Sequence, residues 1–89
     1  MSVLVDHNYP HDGDMTVVTS SGNPIQGAEI RVYEAVEYNA GHRDSFAAYT
    51  TTDLKGEWVD SVWLPDARTW VVHIQKITEY GPIHFEITT

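Results

Sequence analysis

The chain has 89 residues and no cysteine, with thirteen acidic against five basic side chains and a formal net charge of −8. A chain of this length forms one domain with a single thin core, burying roughly 60–65% of the surface that its unfolded form exposes. The charge makes phosphate backbones and anionic membranes poor partners, and the 42% hydrophobic content, with three Trp, five Tyr and two Phe, excludes disorder throughout.

The absence of cysteine leans towards assembly in a reducing compartment, or towards partners that supply stability. Arg31, Arg43, Lys55, Arg68 and Lys76 are scattered and form no basic run. No apolar stretch approaches the ~20 residues that cross a bilayer. Met1–Asp6 lacks the basic and long apolar regions of a secretory signal.

Residues 1–14 differ from the rest. Asp6–Asp14 is polar, interrupted by Pro10 and without a period, so the segment is expected to be an arm, with the domain proper over 15–89. Val3, Leu4 and Val5 suit a strand added to an exposed sheet edge, the chain's own or a neighbour's. With Tyr9 they are the arm's candidate interaction residues. Removal of 1–14 is expected to leave the domain folded. Asp6, His7, His11, Asp12 and Asp14 lie close together, but their spacing matches no metal loop, and they read as a polar arm rather than a ligand set.

From Met15 onward the period is two, which argues strands. Met15–Thr19 is a short β-branched run. Ser20–Pro24 is dense turn chemistry. Ala28–Val36 alternates, with Ala28, Ile30, Val32 and Val36 on one face and Glu29, Arg31, Tyr33 and Glu37 on the other. Glu37–Ser45 reads as a loop. Phe46–Thr52 is the next strand, followed by a turn at Asp53–Gly56 and a strand over Trp58–Leu64.

After a turn at Pro65–Arg68, Thr69–Ile77 alternates Trp70, Val72 and Ile74 against Val71, His73 and Gln75. The last strand, Ile83–Thr88, turns Ile83, Phe85 and Ile87 inward. A hairpin centred on Thr78–Pro82 sets Lys76 opposite His84 and leaves His73 near Ile87, so the two histidines are not expected to meet. The sum is six or seven short strands, no helical-period segment, and an all-β antiparallel sandwich with an extended N-terminal arm.

Two stretches within this pattern fit together. Gly22-Asn23-Pro24-Ile25-Gln26-Gly27-Ala28 is a turn that feeds Ala28–Tyr33, and Thr52-Asp53-Leu54-Lys55-Gly56-Glu57-Trp58 is a second turn leading into an aromatic. The glycines suit positive φ, Asp53 can accept backbone N–H groups across its turn, and Trp58 then anchors the core. With Thr16–Thr19, Val71–Ile77 and Tyr80–Ile87, these pieces resemble the prealbumin-like (transthyretin-like, carboxypeptidase-regulatory-like) β-sandwich modules over residues 15–88. The resemblance implies an Ig-like or prealbumin-like sandwich, and says little of function because one architecture hosts many jobs.

The enzyme of that fold class is the transthyretin-like 5-hydroxyisourate hydrolase, which has a His-x-Leu-Asp context near its N-terminus and ends in Tyr-Arg-Gly-Ser. Asp6-His7 does not match the first, and the ending His84-Phe85-Glu86-Ile87-Thr88-Thr89 lacks the second. No serine lies in a Gly-x-Ser-x-Gly context. The chain is therefore expected to be non-enzymatic, with no cofactor and no metal.

Similar modules recur in tailed-phage particles, where small sandwiches decorate capsids, tails or fibres. A virion component that binds neighbouring capsid or tail subunits is the resulting expectation, with a homo-oligomer as a further form of association. The alternative is a bacterial cell-surface or carbohydrate-binding module, in which Tyr33, Tyr49 and Trp63, whose parity places them outside the core, stack on a glycan.

Overall fold

A computed structural model describes residues 1–89. Its elements are β1 (Ser2–Val5), β2 (Glu29–Glu34), a short helix α1 (Ala35–Asn39), β3 (Ala48–Thr51), β4 (Val62–Pro65), β5 (Thr69–Lys76) and β6 (Tyr80–Thr88). They form two antiparallel sheets, β1–β4 and β3–β2–β5–β6, in a small all-β sandwich. In sequence β2 and β3 separate the two strands of the small sheet, and β4 separates β2 and β3 from β5 and β6, so neither sheet forms from one continuous stretch of chain.

The core lies between the sheets. Ile30 and Val32 of β2, Trp70, Val72 and Ile74 of β5, and Ile87 of β6 face Val5 of β1 and Leu64 of β4. Met15, Val17, Ala28 and Trp58 close the ends. This is the period-two pattern made physical, since alternate side chains on each strand reach the same face. The Trp58 ring is buried, and its Nε1–H donates to the Met15 carbonyl at 3.0 Å, so the only polar atom of its side chain is satisfied.

Both turn motifs form as read. Asp53 Oδ1 accepts from the backbone N–H of Lys55 and of Glu57, at 2.8 and 3.1 Å. Gly56 has φ +75, and its carbonyl accepts from Val17 N–H at 2.8 Å, which ties the second turn to the run after Met15. That run stays irregular, with a single bridge between Val18 and Pro24 rather than a strand.

Three expectations are corrected. The strand over Ala28–Val36 stops at Glu34, and α1 follows, so Val36 is 68% exposed instead of joining the Ile30 face. A helix of five residues is too short to show a 3.6-residue period. Gly41, at φ +83, ends it in the left-handed conformation that only glycine adopts without strain.

The hairpin register is the second correction. Glu79 N–H bonds the Lys76 carbonyl at 2.9 Å, Thr78 takes the left-handed position at φ +66, and Lys76 pairs with Tyr80. The loop closes earlier than a turn centred on Thr78–Pro82 would allow. After an irregularity between Ile74 and Lys76, His73 stands directly opposite His84.

The third concerns residues 1–14 as a segment apart from the domain, while of the two sheet edges open to Val3–Val5 the chain's own is the one used. Val3–Val5 pairs with the chain's own β4 (Val3 with Leu64, Leu4 with Trp63, Val5 with Val62), and Val5 is fully buried. The following residues stay close as well. Met15 N–H bonds the His7 carbonyl at 3.0 Å, and the Tyr9 hydroxyl donates to the Thr88 carbonyl.

Candidate functional site

The outer face of the small sheet is set by its register. Val3 and Leu64, and Val5 and Val62, turn inward, so the opposed pairs Ser2/Pro65 and Leu4/Trp63 turn outward. Leu4 is 47% and Trp63 66% exposed. Residues opposed in an antiparallel pair hold their Cβ atoms ~5 Å apart, so the two side chains form one continuous apolar patch. Polar groups border it, with Ser61 Oγ donating to Asp6 Oδ2 at 3.3 Å and the N-terminal ammonium 3.6 Å from Asp66. An apolar centre with a polar rim is the anatomy of a protein interface. Other exposed apolar side chains, such as Leu54 and Ile77, lie singly at turns.

The outer face of the large sheet is different. One register row crosses all its strands, running Tyr49, Arg31, His73 and His84. The helix α1 lays Tyr38 over it, with ring centroids 5.3 Å from Tyr33, 6.1 Å from His73 and 5.3 Å from His84. Arg31 stacks on Phe46 and Tyr49, at 5.6 and 5.1 Å, and Arg43 lies 3.6 Å from the Tyr38 centroid. Tyr33 is 1% exposed beneath this cover, and its hydroxyl donates to the Arg43 carbonyl at 2.7 Å. Burial raises its phenol above the ordinary value, against the lowering by Arg31 and Arg43.

An open cleft of about 440 Å³ remains among Glu29, Arg31, Arg43, Asp44, Phe46 and His73. The two carboxylates offset the two guanidinium groups, and neither serine nor cysteine lines the cleft. The side chains stacked beside it, Tyr38 on Tyr33, His73 and His84 with Arg43 on Tyr38, form a second, smaller packing layer that ties α1 and the residues after it to the sheet.

Within that layer His73 Nδ1 is buried without a hydrogen-bond partner. Burial first, then the charges of Arg43 and Arg31 and the neighbouring His84, hold its imidazole below the ordinary histidine value. The folded state therefore binds fewer protons than the unfolded chain. The stabilisation is fully present above the unfolded value of ~6.5 and declines as pH falls from there towards the lower folded-state value. Urea midpoints measured at pH 7.5 and 5.5 should fall with pH, and the fall should be smaller in His73→Gln. An unchanged pH dependence in the variant overturns this assignment.

The residues proposed from sequence do not form one site. Tyr33 and Val5 are buried and are not available to a partner, because α1 covers the first and β4 pairing turns the second inward. Val3 is half-buried, and Tyr9 is held by Thr88. Tyr49 is exposed on the large sheet, and Trp63 on the small one. Only Leu4 and Trp63 are brought together. In residues 6–14, His7 Nε2 faces Glu57 at 3.8 Å and Asp6 accepts from Asn8 N–H, and no group of three His, Cys, Asp or Glu converges on one point. Tyr38 and Arg43 escaped the sequence reading because a single helical turn has no periodic signature, although Gly41 marks its end.

Comparison with protein-family models, with curated proteins and with solved structures finds no match.

Proposed function

We propose that this chain is a non-enzymatic structural and interaction protein, a subunit of a larger assembly of the tailed-phage kind, and that it docks on a neighbouring protein subunit through the Leu4–Trp63 face. The observation that carries the reading is that pair. Two large apolar side chains are held side by side on a rigid antiparallel pair and left in water, at the centre of a polar border. The resemblance of the turn-strand motifs to prealbumin-like modules supports the assembly type by analogy alone. The glycan reading loses its platform, since Tyr33 is buried and Tyr49 and Trp63 lie on different sheets.

The chain should band with particles in a density gradient of a culture that produces it. Trp63→Ala should keep its fold, with a stability loss no larger than about 1 kcal/mol for an exposed cross-strand pair. A buried aromatic anchor is worth about 2 kcal/mol, so particle-bound protein should drop roughly thirtyfold. Absence of the wild-type chain from every particle fraction sinks the proposal, and so does full incorporation of Trp63→Ala.

A further inference from the structure

The other long unpartnered feature is the free edge of β6. Thr89 N–H bonds the Arg68 carbonyl at 3.0 Å, which makes 68 and 89 a hydrogen-bonded pair. Antiparallel pairs alternate, so Ile87, Phe85 and Ile83 bond towards β5. His84, Glu86 and Thr88 then direct their backbone groups outward. The Thr88 carbonyl confirms the parity, because it accepts the Tyr9 hydroxyl from that side. At the opposite edge of the sheet, Thr51 of β3 is already bonded by Val59 N–H at 2.9 Å. On β6, His84 and Glu86 are exposed, and no other element pairs with this edge.

We propose that two copies of this chain pair through this edge, antiparallel, about a two-fold axis at Phe85, to make one continuous sheet across both sandwiches. The proposal uses a surface separate from Leu4 and Trp63 and does not rest on the assembly reading. Its register follows from the side chains. A two-fold at Glu86 sets like carboxylates directly opposite. A two-fold at His84 sets Pro82 opposite Glu86 and leaves the Glu86 carbonyl without a donor, since proline has no N–H.

The axis at Phe85 avoids both faults. His84 lies opposite Glu86 of the second copy, its ring N–H able to donate to the carboxylate, and the two residues exchange both backbone bonds. Ile83 lies opposite Ile87, and Phe85 opposite itself, all on the inner face. Pro82 then falls opposite Thr88, whose carbonyl already has its donor in Tyr9. The one residue that cannot donate thus meets the one outward carbonyl that needs no donor.

The inner side offers room for the added side chains. An open groove of about 340 Å³ runs beside Phe85 and Ile87, walled on its other side by Tyr9, Pro10 and Met15. Ile83, 39% exposed in the single chain, would enter the groove of the second copy beside Ile87. Pairing would cover the apolar row that the edge position leaves wet. It would also remove the edge as a template for uncontrolled pairing.

The test is the mass in solution of the whole chain, by light scattering or sedimentation, together with a single-cysteine cross-link. An interface of this size is on the small side, so the mass of two chains is expected at about 100 μM. Glu86→Pro removes an outward N–H and the carboxylate that faces His84, leaves the bonds to β5 in place, and should give the mass of one chain with β5 amide signals intact. Glu86→Lys should weaken association at least tenfold and serves if the proline variant does not fold.

Because the chain has no cysteine, Phe85→Cys can form only an intermolecular disulfide. Self-opposed residues in a non-hydrogen-bonded pair have Cα atoms ~4.5 Å apart, inside the range a disulfide spans. Phe85→Cys should therefore cross-link on mild oxidation, whereas Ile83→Cys should not. A single-chain mass up to about 1 mM overturns the proposal, as does a dimer that survives both Glu86 variants or is lost on Trp63→Ala. Cross-linking of Ile83→Cys in preference to Phe85→Cys overturns the register.

Discussion

A chain lacking residues 1–14 is expected to lose cooperative unfolding, with far-UV circular dichroism and tryptophan fluorescence no longer changing together in urea. The sequence alone predicts the opposite, a domain that stays folded without residues 1–14. Three observations stand behind the expected loss. Without β1, β4 has no partner and half of one sheet disappears. Val5 is fully buried, and Val3 and Tyr9 pack against the core, so their loss opens the interior above Leu64.

The segment also holds Met15, whose N–H bonds the His7 carbonyl and whose own carbonyl takes the Trp58 indole. Each buried aliphatic side chain is worth ~1.5–3 kcal/mol. The sum with two more side chains and a lost ladder reaches the ~5–15 kcal/mol that holds a domain of ordinary stability together. A truncated chain with the midpoint and slope of the full one would show that β1 is dispensable after all.

Gly56→Ala is the point substitution with the largest expected effect. The backbone there is left-handed, at φ +75, and a Cβ would stand 2.2 Å from the Val17 carbonyl oxygen. That oxygen is backbone and cannot rotate away. Val17 is itself buried, its N–H bonded to the Gly56 carbonyl, so relief of the clash would separate the turn from the core.

Gly22→Ala is the control. Its φ is +87, yet nothing lies within 4 Å of its Cβ position. Left-handed backbone alone costs an L-residue ~1–2 kcal/mol, which is the whole expected effect at Gly22. At Gly56 the clash adds to it, and a loss of ~4 kcal/mol or more is expected. Urea denaturation of both variants checks the pair. Equal losses would mean that φ alone decides, and that the turn yields to the methyl group.

Chemistry decided within a few residues was legible in the chain. The Asp53–Gly56 turn formed with Asp53 capping two N–H groups and Trp58 entering the core, because a turn and its anchor depend on neighbours in sequence. The alternation in Thr69–Ile77 likewise placed Trp70, Val72 and Ile74 inside, since the pleat sends every second side chain to one face whatever the partner strand.

Features that depend on a partner were decided only by the tertiary structure. Val3–Val5 fits any open sheet edge, and its pairing with β4 rests on residues far along the chain. Tyr33 has the parity of an outward residue, and becomes buried because α1 brings Tyr38 over the sheet's second face. His73 meets His84 because Thr78 takes the left-handed place in the hairpin loop, and a different closure changes every pair beyond it. Side-chain alternation determines which residues share a face of a strand, but only the paired strands decide which residues stand opposite one another and what covers that face.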